Sequence, residues 1–233
     1  MGLGEMLLIE RTLLGLTGGP TADFNLCLAD GSANLELALN RAVEHARTRS
    51  LPTLFMVSTE ASKTLTDRLN RLDLTAVGEA PLMAFTGAPP AVDPAFQVDL
   101  VSEPVALNEV AELIAKAFEL DRHWVGRTFA STALLDNTST VGFYLVRREG
   151  RPISTVTISG EGSVIGIWSM ATDPELQRQG AGRAALAGAM THRWSLGARA
   201  FYLIATPAGK PLYDAVGFTT VETFPMFMLA PTH

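Results

Sequence analysis

Hydrophobic positions recur along the chain in two ways, as short apolar runs of strand length and as rows spaced by three and four residues. Phe24 to Ala29 is a run of the first kind. After Asp30-Gly31-Ser32, the residues Leu35, Leu39, Ala42, Val43 and Ala46 return at helical spacing, with Ser32 placed as the N-cap. Leu54 to Val57 reads as a buried strand, Ser62 to Leu72 as a helix through Leu65, Leu69 and Leu72, and Ala76 to Phe85 as extended chain. The opening apolar stretch to Leu16 is interrupted by Glu5, Glu10 and Arg11 with no basic segment ahead of it, which argues against a signal peptide.

Pro89, Pro90 and Pro94 remove backbone donors and hold the following segment extended. A domain boundary is expected there, dividing the chain into 1–90 and 91–233. In the second part, Phe96 to Val101 is a strand and Leu107 to Phe118 an amphipathic helix, followed by a less regular stretch from Arg122 to Asn137. Val141 to Val146 and Pro152 to Ser159 form an antiparallel pair turning at Glu149-Gly150. Then come a strand over Val164 to Thr172, a helix over Gly180 to Leu196, a strand over Phe201 to Ala205, a short helix over Pro211 to Val216 and a closing strand over Thr220 to Leu229. The fold class is mixed α/β with a mixed sheet, and the β-α-β-α-β order of the first part recurs at the end of the second. That recurrence predicts two tandem copies, the first shortened.

Composition narrows the function. Eighteen Lys and Arg against 24 Asp and Glu give a net charge of −6, which excludes a basic surface of the nucleic-acid-binding kind spread over the chain. The single Cys27 forms no internal disulfide and the histidines lack partners at ligand spacing, so neither a disulfide framework nor a metal site is expected. No membrane span is expected because no long uninterrupted apolar run occurs, and a reducing, cytoplasmic setting follows as the default.

The segment from Ser169 to Leu186 carries the chemistry. It passes from a strand end through Asp173-Pro174-Glu175 and Gln177-Arg178-Gln179-Gly180-Ala181-Gly182-Arg183 into a helix. A helix start offers unpaired backbone N–H groups and a partial positive charge, and glycines there let a phosphate reach the backbone. A Walker phosphate loop is absent, and the dinucleotide fingerprint lacks its third glycine and its acidic partner.

Gln177-x-x-Gly180-x-Gly182 resembles the signature of the GNAT superfamily of acyl-CoA-dependent N-acyltransferases. Leu212-Tyr213-Asp214-Ala215-Val216-Gly217-Phe218 is similar to that family's L-Y-x-x-x-G-F segment. The likeness covers roughly Phe96 to Leu229. It implies acetyl-CoA as acyl donor, its pantetheine arm against Met170, Ala171 and Thr172, and its pyrophosphate on the amides from Gln177, Arg178, Gln179, Gly180, Ala181 and Gly182 to Arg183. It also implies Tyr213 as general acid to the departing thiolate.

Two departures from the family pattern stand out. Thr206 replaces an asparagine that many relatives carry seven residues before the tyrosine, and strand Val164 to Thr172 offers Trp168 and Ser169 where relatives often keep a glutamate base. The base is therefore unassigned, with a water chain or Glu161 as the alternatives. Phe118, Trp124, Val125 and Phe129 lie in the region that sets acceptor choice in the family. They read either as an apolar wall for the amine or as core packing.

The resemblance implies an acetyl-CoA-dependent N-acetyltransferase acting by direct attack of a primary amine of a small molecule or protein. A non-catalytic acyl-CoA binding or sensing module is the alternative, and a scaffold without a CoA site a third reading. The first copy retains only Gly31 of the glycine signature, so it is expected to be a degenerate GNAT-like domain that binds no CoA. A homodimer is compatible with the closing strand Val221 to Leu229, though no residue pattern demands one.

Overall fold

The computed structural model describes residues 4–29 and 34–231. The chain forms two compact units, one from the residues up to Leu82 together with those from Glu222 onward, the other from Met83 to Val221. The segment from Thr86 to Pro94 thus lies within the second unit.

The first unit opens with a hairpin of β1 (Glu5–Ile9) and β2 (Thr12–Leu16), an element the interrupted apolar stretch did not announce. Its turn has Glu10 at φ 56°, where glycine or asparagine usually gives such a turn away in the sequence. β2 pairs antiparallel with β3 (Asn25–Ala29), and β3 runs parallel to β4 (Thr53–Val57) through the crossover helix α1 (Leu35–Thr48). On its far side β4 pairs antiparallel with the end of the last strand, β11 (Thr219–Leu229). The segment Asp30 to Ala33, with the Ser32 cap and Gly31, lies outside the described residues.

The single helix expected over Ser62 to Leu72 is two, α2 (Thr59–Thr64) and α3 (Thr66–Arg71), broken at Leu65. The hydroxyls of Thr64 and Thr66 bond back to the carbonyls of Ala61 and Ser62, local bonds of the kind that bend or interrupt short helices. One face of the sheet, through Leu14, Leu16, Cys27, Phe55 and Leu229, packs with Leu39, Val43 and Leu69 of these helices into one core.

β5 (Thr75–Phe85) runs across the division at Leu82 into the second unit. There, β6 (Gln97–Leu100), β7 (Val141–Arg148), β8 (Arg151–Ser159) and β9 (Val164–Thr172) form an antiparallel array, and β10 (Ala200–Ile204) lies parallel to β9. The crossover is α6 (Ala181–Ser195), whose small residues Ala184, Ala185 and Ala189 lie in one core cluster with Ile165, Ile167, Phe201 and Leu203. α4 (Pro104–Ala117) and α5 (Arg122–Phe129) pack on the opposite face, and α7 (Lys210–Val216) follows β10. Both units therefore contain an antiparallel array, of three strands in the first and four in the second, leading to a parallel strand through a helix, and the fold is mixed α/β as expected. Among the described residues no helix is long and apolar enough to cross a membrane.

One buried ion cluster ties the second unit together at the end of β9. Asp173, 5% exposed, accepts from Lys116 at 2.7 Å and from Arg151 at 3.3 Å, and also caps the amide of Glu175. Burial pushes its pKa up, but the Lys116 ammonium, the Glu175 amide and Arg151 outweigh that and hold it below the ordinary carboxylate range. The turn that leads to α6 is thereby anchored to α4 and to the start of β8.

Candidate acyl-donor site

β9 and β10 part company halfway. Their register runs through Ala200–Val164, Phe201–Ile165 and Tyr202–Gly166, and among the described residues no pairing between them continues beyond. On the other edge of β9, Thr157 of β8 faces Trp168 while Thr155 faces Ala171, so Ser169 and Met170 oppose the single residue Val156. Ser169 takes a left-handed φ of 43° at this bulge. The bulge bends β9 where its β10 side is unpaired. That edge suits an extended, amide-bearing arm lying along it as a strand.

The turn beyond Asp173 delivers the chain into α6. Gly180 is its N-cap at φ 89°, a conformation that costs a side chain roughly 1–2 kcal/mol, and no side chain caps the first turn. The first amides of α6 are thus left for an anion. A Cβ on Gly182 would lie 3.1 Å from Cδ2 of Leu212, 3.7 Å from the Thr172 hydroxyl and 3.8 Å from Cε of Met170. The glycine signature, the end of β9 and the start of α7 therefore converge on one spot.

Of the basic residues expected on the phosphate, Arg178 is exposed and forms no hydrogen bond or ion pair with the described residues. Arg183 instead donates to the Ala215 carbonyl at 3.3 Å, fastening α6 to α7. Gln177 is exposed, whereas Gln179 accepts from Arg148 at 2.8 Å. Ala181 is buried in the core beneath the loop, so only its backbone is available.

Tyr213 is 8% exposed, with its ring edge-on to Phe218 at 6.0 Å. Burial pushes its phenol up to about 12. It therefore keeps its proton throughout the neutral and mildly alkaline range, as a proton donor must. Thr206 accepts from the amide of Gly209 at 3.1 Å, within the turn that leads into α7.

Elsewhere the side chains separate. Trp124, Val125 and Phe129 are buried, with Trp124 edge-on to Phe129 and Phe129 edge-on to Phe143 of β7. The apolar stretch after α4 is core packing, and of the expected wall only Phe118 is exposed. Glu161 is exposed and accepts from the Thr140 hydroxyl. His192 is hydrogen-bonded through Nδ1 to the buried Tyr144 hydroxyl at 2.6 Å, and burial followed by the nearby Arg193 lowers its pKa. Among the described residues no group of three or more His, Cys, Asp or Glu stands where it could hold a metal ion.

Sequence reasoning named Trp168 but missed its partners beside the parted strands. The Trp168 indole donates to the Ser159 hydroxyl at 2.6 Å and lies edge-on to Tyr202 at 5.8 Å. It occupies the space over Gly166, where a Cβ would sit 2.6 Å from Nε1. A glycine two positions before a tryptophan in an apolar strand is the signal that marks this close approach.

The fold, a mixed sheet in which two parallel strands part, matches that of GNAT-like acyl-CoA N-acyltransferase structures. Residues 107–218 match the family model described as the acetyltransferase (GNAT) family. No curated protein matches the chain. Among solved structures, a GCN5-related N-acetyltransferase from Kribbella flavida superposes with a TM-score of 0.73 at 18% identity, covering 99% of this chain and 91% of that one. One from Sphaerobacter thermophilus gives 0.68 at 12% identity over 94% and 76% of the two chains. A tandem GNAT protein from the clavulanic acid biosynthesis pathway gives 0.62 at 12% identity over 99% and 80%.

Proposed function

We propose that the protein is an acetyl-CoA-dependent N-acetyltransferase that acetylates a primary amine of a small molecule or protein by direct attack. The observation that carries this reading is the convergence of the parted β9 edge, the uncapped glycine turn of α6 and the start of α7. When bound, acetyl-CoA supplies an activated thioester. Met170, Ala171 and Thr172 would hold the donor arm along the open edge of β9, and the amides of Gly180 to Arg183, with Arg178, would hold the pyrophosphate. Tyr213 holds a proton at its hydroxyl for the departing sulfur.

β9 carries no carboxylate, so the acceptor amine reaches the site neutral or loses its proton to water. The first unit repeats the strand order without the glycine signature, and we read it as a degenerate copy that binds no CoA. A second reading, an acyl-CoA binding or sensing module, is favoured by the missing base and by Thr206 in place of the asparagine that many relatives carry.

Calorimetric titration of the full chain with acetyl-CoA, beside a variant with Gly180 and Gly182 replaced by leucine, tests the donor site. Saturable 1:1 binding lost in the variant is the expected result, and no binding by the native protein would overturn it. Thiol release with a panel of amines then separates the enzyme from the sensor.

A further inference from the structure

We propose, resting on the acetyltransferase reading, that the acceptor is an aromatic amine, bound against Trp168 and Tyr202 and already neutral when it arrives. β8, β9 and β10 turn alternate side chains to α6, among them Ile158, Ile167 and Leu203, and the intervening ones to the face on which α4 packs. On that second face, where β9 and β10 part, stand Thr157 and Ser159 of β8, Gly166 and Trp168 of β9, and Tyr202 and Ile204 of β10. No carboxylate, ammonium or guanidinium is among them. The buried residues of α4 and α5 are all apolar as well.

Trp168 and Tyr202 are half-buried, so each leaves part of its side chain open beside the parting. Three contacts hold the indole: its donation to the Ser159 hydroxyl at 2.6 Å, its close approach to Gly166 and the edge-on ring of Tyr202 at 5.8 Å. A fixed, half-open pair of rings is a surface for a third, because planar aromatics gain from stacked and edge contacts beyond the area they bury. Directly across from Trp168 in the register, the Thr157 hydroxyl is buried and has no hydrogen-bond partner among the described residues. It is a polar group that can accept from an amine N–H, but it cannot take up the proton as a carboxylate would.

The missing charge selects among amines. An alkylamine as basic as the lysine side chain, with a pKa near 10.4, leaves roughly one molecule in 2,500 neutral at pH 7, and only the neutral form has a lone pair to attack with. With no carboxylate on this face to remove the proton, that fraction is lost directly from the rate. Attraction of an ammonium to the two rings would only hold the unreactive form. In an aromatic amine the lone pair is conjugated with the ring, so the nitrogen is unprotonated at neutral pH, and the ring suits the wall that is present. The nitrogen bonds to the thioester carbonyl carbon as the carbon–sulfur bond breaks. The sulfur takes the Tyr213 proton and the surplus proton on nitrogen passes to water, giving an anilide and a free thiol, with Tyr213 reprotonated from solvent.

Thiol release from acetyl-CoA by the full chain at pH 7 tests this with para-methoxyaniline and para-methoxybenzylamine, which share a ring and differ by one methylene that restores basicity. Cyclohexylamine and a lysine-containing peptide serve as non-aromatic amines. The expected kcat/KM is at least about tenfold higher for the aniline than for any of the others. Trp168→Ala should raise the KM for the aniline by about tenfold while the acetyl-CoA dissociation constant and the melting temperature stay native. Should that variant fail to fold, Tyr202→Ala, which spares the indole and its bond to Ser159, makes the same comparison. Release with the basic amines in preference to the aniline would overturn the inference and leave the transferase reading standing. An equal loss toward every amine in Trp168→Ala would reduce Trp168 to a structural role and overturn the inference too. Release with no amine, acetyl-CoA still being bound, would overturn both in favour of the sensor.

Discussion

Tyr213 meets Phe218 edge-on, with ring centroids 6.0 Å apart, and its hydroxyl forms no hydrogen bond with any described residue. The ring is committed to packing while the oxygen is kept available. Tyr213→Phe preserves the packing and removes only the proton donor. It should lower kcat by about 10²-fold or more while leaving the acetyl-CoA dissociation constant and the melting temperature close to native. Steady-state kinetics with calorimetry checks this, and an unchanged kcat would remove Tyr213 from the chemistry.

The same phenol predicts a pH signature. Its folded pKa of about 12 lies above the roughly 10 of an unfolded tyrosine. Between those values the native state retains a proton that the unfolded state has lost, so the contribution to stability is full below pH ~10 and disappears as pH rises through ~12. Urea melts across that window should show a fall in stability that is shallower in Tyr213→Phe. The kcat profile should show no alkaline limb from loss of this acid below about pH 11.

Asp173 should govern the acid side. Its pKa is lowered, so its stabilisation is present above the unfolded value near 4 and is lost as pH falls through the folded one. Asp173→Ala leaves Lys116 and the Glu175 amide without their shared acceptor and should cost about 1–3 kcal/mol at neutral pH. The penalty should shrink as native and variant are compared at decreasing pH. Chemical denaturation at pH 7 and pH 3 measures both.

Cys27 offers a probe of the first unit. It is 0% exposed and burial pushes its thiol up to about 12, so the folded protein should not react with a thiol reagent at pH 8. Labelling should appear only when the first unit opens, and its rate against denaturant reports that opening. Rapid labelling of the native protein would contradict the packing described.

The uncapped helix start at Gly180 was legible from the sequence because it depends on local backbone chemistry. Gly180 and Gly182 after an apolar strand announce an uncapped helix start, and the structure adds the positive φ of Gly180 and the approach of Leu212 to Gly182. The acceptor side was not legible. Trp124 and Phe129 read as either wall or core until their partners in the fold were known, and the Trp168–Ser159–Tyr202 arrangement joins three strands across a bulge at Ser169 that has no glycine to mark it. In the same way the β1–β2 hairpin turns through Glu10, a residue whose left-handed conformation is imposed by pairing rather than by its own preference.

β11 begins in one compact unit and ends in the other, bringing Phe227 and Leu229 to the core of the unit that starts the chain. During synthesis, one edge of β4 must wait for the partners that Thr53 to Met56 find in Met226 to Leu229, far later in the chain. The first unit is thus completed only after the segment of the second has been made. A chain cut after residue 90 would expose the β4 edge and part of its core, and should aggregate rather than fold.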